Sequence, residues 1–222
     1  GDITKEKTVE LINKYFGEIN SFKVDSLPQR HSVKLKNNVY VEHVDDVQLE
    51  RLYLSWPSDF IFGKDDASLE ICSDILSGSK NSRLHKKLVF DLQIAQDVTS
   101  FQYSGRFGGQ FIIISTIKPG QNTNKIKQLI LDEINEMATN GVTEKELEKS
   151  RNGIKSQFVY SMQNLDTVAD HLNYYNYHLG EPNSFEFDLN RYNSVTNDSI
   201  KIALQKYHFN PYVELRIKPR DN

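Results

Sequence analysis

The sequence predicts an α+β fold with a mostly antiparallel sheet. Short β-rich or alternating segments occur in pairs along the chain, as expected for neighbouring strands. Segments with helical spacing of apolar residues lie between these pairs, which is the order typical of an α+β domain. No internal repeat with a period of about 20–50 residues is visible.

Composition limits the functional classes. The 222 residues are enough for one large domain or two small ones, and 38% apolar with 26% charged residues is ordinary for a globular protein. The net charge of −3 gives no reason to expect a nucleic-acid partner. The single cysteine, Cys72, excludes an internal disulfide framework. No apolar run approaches the roughly 18 residues that would span a bilayer.

The first helix is predicted to be separate from the rest. Residues 1–19 carry one apolar stripe, and Gly17 is a plausible C-terminal stop. The stripe consists of Leu11, Ile12, Tyr15 and Phe16. Residues 20–37 have no sustained period and indicate an extended linker. We therefore expect the tail helix of a preceding domain over 1–19, a linker over 20–37 and the main domain over 38–222.

The remaining elements follow from local signals. Asp45-Asp46 offers a turn between the first two strands, and Thr143 with Glu146 forms a capping box that begins a long helix. The predicted strands are residues 39–44, 47–54, roughly 93–105, 109–118 and 212–217. The predicted helices are residues 66–77, 81–90, one from Asn122 or Thr123, one from Thr143, 166–178, and one from Thr196 to about 207.

Several segments, in this order, resemble one family. They are GDI…VELINKYFG at the start, LSGSKNSRLHKKL, Phe111 to Gly120 with its Lys-Pro-Gly end, the helix start Thr143–Leu147, and the closing segments 191–196 and 212–215. Together they cover most of residues 1–218. On these segments the chain resembles the second, zinc-free and non-catalytic half-domain of a pitrilysin/insulinase-family (inverzincin) zinc metallopeptidase.

The resemblance implies a fold and a partner. The fold is a pitrilysin/mitochondrial-processing-peptidase-like half-domain, with helices packed on one face of a mostly antiparallel sheet. The partner is a homologous first half, in the same chain or another, that carries H-x-x-E-H on a helix. There two histidines bind zinc and the glutamate acts as general base. The resemblance also implies peptide substrates and a periplasmic or cell-envelope location.

The zinc motif itself is missing from this chain. No H-x-x-E-H occurs, and no two histidines are three, four or five residues apart. The histidines are His31, His43, His85, His171, His178 and His208. We therefore expect no catalytic residue, no metal ligand and no cofactor in this chain, and zinc only in the missing first half.

A second family feature is altered. The second half of family members usually supplies an arginine and, seven residues later, a tyrosine within L-R-x-x-x-G-L-x-Y, which bind the peptide or stabilise the oxyanion. Aligned on Leu84 and Leu88, this sequence has Val89 at the arginine position and Gln96 at the tyrosine position. Gln96 and Arg83 are the candidate substrate-binding residues. Arg83 has a structural alternative, since it can anchor the adjacent Gly-Ser loop.

Two further motifs each allow a structural and a functional interpretation. His171 and His178 lie seven residues apart on one predicted helix, about 10 Å along its axis, so a packed aromatic helix is favoured over a shared metal ion. Gly108-Gly109 lies between two strands, which favours a hairpin turn over a phosphate-binding loop.

Two functions remain open at the level of sequence. The favoured one is the non-catalytic half of a zinc metalloendopeptidase, which forms the wall of a clamshell chamber around peptides. The alternative is a stand-alone interaction or assembly subunit with a peptidase-like fold. Under both hypotheses the chain alone is expected to be inactive.

Overall fold

The computed structural model describes residues 2–20, 33–208 and 210–220, which form seven α-helices, one π-helical segment and five strands. The α-helices are α1 (Lys5–Phe16), α2 (Asp66–Ser77), α3 (Thr123–Asn140), α4 (Glu144–Ser161), α5 (Leu165–Leu179), α6 (Phe185–Asn193) and α7 (Asn197–His208). The strands are β1 (Val39–Asp45), β2 (Arg51–Ser58), β3 (Ala95–Ser104), β4 (Gly109–Ile117) and β5 (Val213–Pro219). The π-helical segment, His85–Asp91, lies between α2 and β3.

All five strands join one sheet in the order β1-β5-β2-β4-β3. The pairs β5–β2, β2–β4 and β4–β3 are antiparallel, and β1 pairs with β5 in parallel. The sheet is mostly antiparallel and is accompanied by helices, so the predicted α+β class is confirmed.

The first two strands differ from the prediction. They are not neighbours joined by a turn at Asp45-Asp46, because β5 lies between them. The second strand also covers Arg51–Ser58 instead of 47–54. Burial explains this shift: Leu52, Leu54 and Trp56 are fully buried at alternate positions, and this alternation fixes which residues belong to the strand.

The helix starts were predicted well. Asn122 caps α3 by accepting a hydrogen bond from the Lys125 amide, and Thr143 and Glu146 form the complete capping box of α4. The helix expected over 81–90 is instead π-helical over 85–91, and α6 was not predicted.

The domain division stays a prediction. Most of the expected linker, residues 21–32, lies outside the described residues, and so does His31. Helix α1 ends just before Gly17, as expected, and it contains no buried residue. No helix in the part of the chain that the structure describes is long and apolar enough to cross a membrane.

The helices cover one face of the sheet. Leu54, Trp56, Phe111 and Ile113 point into a single core and are fully buried. Ser100, on the same face of β3, hydrogen-bonds α2 at the Ser73 carbonyl (2.9 Å) and the Ser77 hydroxyl (2.8 Å). Burial of each large apolar side chain in such a core stabilises the fold by about 1.5–3 kcal/mol.

The opposite face of the sheet remains accessible. Tyr53 pairs with Ile114 on one side and with Leu215 on the other, and all three are half-buried. On β3, Phe101 is 38% exposed and Tyr103 is 64% exposed. We call this surface the open sheet face. Apolar and aromatic side chains make up much of this face, although the described helices that pack on the sheet lie on the other side.

His208, the last residue of α7, is a polar residue inside the core. Its ring lies 5.0 Å from that of Trp56 and 4.5 Å from that of Phe111, and neither ring nitrogen makes a hydrogen bond of normal geometry. Burial lowers the pKa of His208 to about 3, and the Leu204 carbonyl opposes this only in part. The imidazole is therefore neutral in the folded protein.

This predicts an acid-sensitive fold. The pKa of His208 falls from 6.5 in the unfolded chain to about 3 in the folded protein. The contribution of the neutral imidazole to the unfolding free energy is therefore complete above pH 6.5 and is lost as pH falls towards 3. The loss reaches at most about 5 kcal/mol. We expect His208→Phe to reduce the difference in unfolding free energy between pH 7 and pH 4.5, measured by urea denaturation.

The exposed His43 on β1 provides the control. His43→Phe should leave the pH dependence as it is in the unmodified chain. An unchanged pH dependence in His208→Phe would show that this buried imidazole does not set the acid limit.

Candidate functional site

The altered family motif lies on the π-helical segment and the start of β3. Leu84 and Leu88 are fully buried and fix the segment against the core. Val89, at the arginine position of the motif, is half-buried and packs against the same core. An apolar side chain here contributes to packing and has no polar group to offer a peptide.

The link from this segment to β3 is a tight turn. The Leu92 amide donates to the Lys87 carbonyl and the Ile94 amide to the Leu88 carbonyl, both at 3.0 Å. Between them Gln93 has a φ of 53°, in the left-handed region that favours glycine. Gln93 stands where the family motif has its glycine, the residue that adopts a positive φ without steric cost.

Gln96 lies in a β-bulge. Ala95 pairs with Ile117 and Asp97 pairs with Thr116, so Gln96 has no partner in the ladder between β3 and β4. Its side chain is exposed. The position is accessible to a ligand, and the amide offers both a donor and an acceptor.

Arg83 is engaged by the protein itself. Its Nε and Nη2 donate to Glu146 Oε1 and Oε2 at 2.7 and 2.8 Å, a bidentate pair. Nη2 also lies 3.4 Å from the Gly141 carbonyl, and Nη1 lies 3.5 Å from Glu133. The guanidinium thus joins the loop after α2 to the end of α3 and the start of α4.

This network supports an anchoring role for Arg83. The hydrogen bond from Arg83 is the largest cause that lowers the pKa of Glu146 to about 2, and the same hydrogen bond raises the pKa of Arg83. No hydrogen bond or ion pair between described residues joins Arg83 to Gln96. Binding of substrate by either residue stays a prediction.

Metal-ligating groups do not gather in the described residues. Across 2–20, 33–208 and 210–220, no three His, Cys, Asp or Glu side chains are placed to hold an ion. His171 donates from Nδ1 to the Thr167 carbonyl (2.8 Å), and its ring stacks on Phe185. Cys72 is fully buried, and burial raises the pKa of its thiol.

Sequence reasoning missed a cluster around Arg191, on α6. Its Nη1 lies 2.9 Å from Asp66 Oδ2, and its Nη2 lies 2.7 Å from Asp188 Oδ1. Tyr175 donates to Asp188 at 2.8 Å, and the guanidinium stacks 4.6 Å from the ring of Phe62. These side chains come from α2, α5, α6 and the loop after β2. Because they are far apart in the sequence, no local residue spacing predicts that they meet.

The fold and the altered motif define a class: a peptidase-like half-domain whose own zinc motif is missing. The model of one family, described as the peptidase M16 inactive domain, matches residues 1–154. The chain belongs to this family, and the resemblance found in the sequence is confirmed.

Known proteins agree with this assignment. The zinc protease PqqE of Helicobacter pylori is 23% identical over 172 residues, which are 76% of this chain and 39% of that protein. A crystal structure of a protease from Helicobacter pylori covers 99% of this chain and 53% of that one, with a TM-score of 0.86 and 19% identity. The periplasmic protease PqqL of Escherichia coli covers 99% of this chain and 25% of that one, at a TM-score of 0.73 and 13% identity. The chain therefore spans less than half the length of the curated relative PqqE.

The Arg83–Glu146 pair predicts a second acid transition. The pKa of Glu146 falls from 4.5 to about 2 on folding, so its contribution is present above pH 4.5 and is lost as pH falls towards 2. Because the pair is partly solvated, we expect this contribution to be about 1–2 kcal/mol. Glu146→Gln should lower the unfolding free energy at pH 7 by that amount. It should also make the unfolding free energy vary less with pH between 4.5 and 2.

Glu148, exposed on the same helix, is the matched control. Glu148→Gln removes the same charge and should change stability by less than about 0.5 kcal/mol. Equal effects of the two substitutions would refute the anchoring role.

The turn at Gln93 predicts a stabilising substitution. Gln93→Gly should raise the unfolding free energy by about 0.5–1 kcal/mol, because glycine adopts a positive φ without steric cost. Gln121→Gly, in another exposed turn but without a positive φ, should be neutral or destabilising. Denaturant unfolding of both variants tests this, and destabilisation by Gln93→Gly would contradict it.

Proposed function

We propose that this chain is the non-catalytic half of a zinc metallopeptidase, which forms one wall of a clamshell chamber. A zinc-bearing first half, in the same or a partner chain, supplies the metal and the general base. Peptides are held between the two halves and cleaved on the zinc-bearing one. In this role the chain contributes a surface and no reactive group.

The open sheet face carries this proposal. Leu215 on β5, Tyr53 on β2 and Phe101 on β3 give it a partly accessible apolar and aromatic area, which it shares with the polar Ser55 and Thr99. A partly exposed apolar face of a sheet suits the enclosure of extended peptides, because their side chains alternate as those of a strand do.

The edge strand β1 also supports the proposal. All seven of its residues are exposed, and its side chains include Val39, Tyr40, Val41 and Val44. Such an edge can accept a further strand from a peptide or from the first half. Helix α1 likewise exposes Leu11, Ile12, Tyr15 and Phe16, the stripe expected to pack on a preceding domain.

One observation favours the alternative of a stand-alone interaction subunit. Val89 and Gln96 replace the two groups that would assist hydrolysis, and Arg83 is bound by Glu146. A subunit with a purely structural role needs none of these groups. For location we propose the periplasm or cell envelope, since PqqL is described as a periplasmic protease.

A reconstitution experiment separates the two functions. The purified chain should hold less than one zinc per ten molecules and cleave no peptide. When it is combined with an H-x-x-E-H first half from the same or a partner chain, we expect chelator-sensitive peptide cleavage. Stoichiometric zinc in the chain alone, or chelator-sensitive cleavage by it, would refute the proposal.

Two matched substitutions test the chamber wall within that complex. Phe101→Glu lies on the open sheet face, and Ile202→Glu lies on the exposed side of α7. The first should raise KM for apolar peptides at least about fivefold and the second less than about twofold. Equal effects, or full activity without this chain, would favour the assembly role.

A further inference from the structure

A cavity of about 610 Å³ opens on the helical side of the domain, away from the open sheet face. It lies between α2, α4, α5, α6 and the end of β3. Its lining combines the carboxylates of Asp66, Glu70, Asp170 and Asp188 with aromatic side chains that include Phe158 and Tyr192. Acidic and aromatic groups thus line one solvent-accessible cavity.

The only arginine of this lining is already engaged. The Arg191 guanidinium donates to Asp66 through Nη1 (2.9 Å) and to Asp188 through Nε and Nη2 (3.1 and 2.7 Å). Asp66 also accepts from the Phe62 amide (3.1 Å) and the Ser104 hydroxyl, and Asp188 accepts from Tyr175. An anionic ligand would find no free cation among these groups.

Glu70 differs from Asp66 and Asp188, because one of its carboxylate oxygens accepts no hydrogen bond from a described residue. Its Oε2 accepts a 2.5 Å hydrogen bond from the Tyr192 hydroxyl, and no described residue donates to Oε1. Burial raises the pKa of Glu70, and Asp66 adds to this effect. A positive group beside Oε1 would stabilise the ionised carboxylate that burial disfavours.

The segment that forms much of the cavity wall is mostly acidic, although Arg106 stacks 4.4 Å from the Tyr177 ring of α5. Residues 157–192, from the end of α4 through α6, contain five acidic residues and one basic residue, which is Arg191. Exposed apolar side chains border the opening: Tyr174 is 40% exposed, and the ring of the exposed Phe187 lies 6.3 Å from that of Phe62. The region attracts cations and offers apolar contacts beside them.

We propose that this cavity binds the lysine or arginine side chain of a peptide or protein segment, with Glu70 as its charged partner. The aliphatic stem would pack on the aromatic lining, and apolar neighbours in the segment would cover Tyr174 and Phe187. The site is separate from the open sheet face, so this inference does not depend on the proposed peptidase role.

The test uses the whole chain and three defined probes. Acetyl-Leu-Arg-Leu-amide is the peptide ligand, its citrulline analogue lacks the charge, and agmatine carries the guanidinium without flanking residues. Binding is measured by calorimetry on the unmodified chain and on Glu70→Gln, which keeps the size of the side chain. Glu186→Gln, an exposed α6 residue outside the cavity lining, removes the same charge as a control.

We expect the arginine peptide to bind at least about tenfold more tightly than the citrulline analogue and agmatine. Glu70→Gln should weaken it about tenfold or more, with unchanged thermal unfolding, and Glu186→Gln less than about twofold. No binding, equal binding of the citrulline peptide, or equal loss in both variants would overturn the proposal. Agmatine binding as tightly as the peptide would overturn the assignment to a peptide segment.

Discussion

Trp56 lies fully buried at the centre of the fold, with the rings of His208 and Tyr212 at 5.0 and 5.1 Å. Its burial places Leu52 and Leu54 on the same covered face of β2 and turns Tyr53 to the other face, because side chains alternate along a strand. Strands β4 and β5 follow this division through their register with β2. The open sheet face is therefore a direct consequence of one-sided burial.

The ion pairs of the helical layer perform a different task. Arg83 links the loop after α2 to the capping box of α4. Glu146 accepts hydrogen bonds both from Arg83 and from the Thr143 amide. Arg191 likewise holds α6 to α2 through Asp66. Each guanidinium is held by two carboxylates of the protein, and a cation held in this way stabilises structure more readily than it recognises a ligand.

Much of the fold was accessible from the sequence, because its signals are local. The Thr143 capping box, the Asn122 cap and the β-rich run of β4 depend on residues a few positions apart. The parallel pairing of β1 with β5 was not accessible, since it joins residues about 175 positions apart and no local pattern marks it. Helix α6 was missed because it is short and follows Pro182.

The candidate site shows the same limit. The sequence located Val89 and Gln96 through the family motif. The bulge at Gln96 depends on how β3 pairs with β4, and the left-handed Gln93 depends on how the π-helical segment joins β3. The Arg191 cluster needs four separate elements to meet, so it was invisible until the fold was known.

Val89 and Arg83 are both part of the packing and ion pairing that hold this domain together. To restore an arginine at position 89, a half-buried valine that packs on the core would have to give way to a long charged side chain. Arg83 cannot replace it without breaking the pair that anchors α4. Two surfaces are left for the roles proposed above: the open sheet face on one side and the acidic, aromatic cavity on the other. In those roles each surface would contact a ligand away from its scissile bond, which is the contribution open to a non-catalytic half.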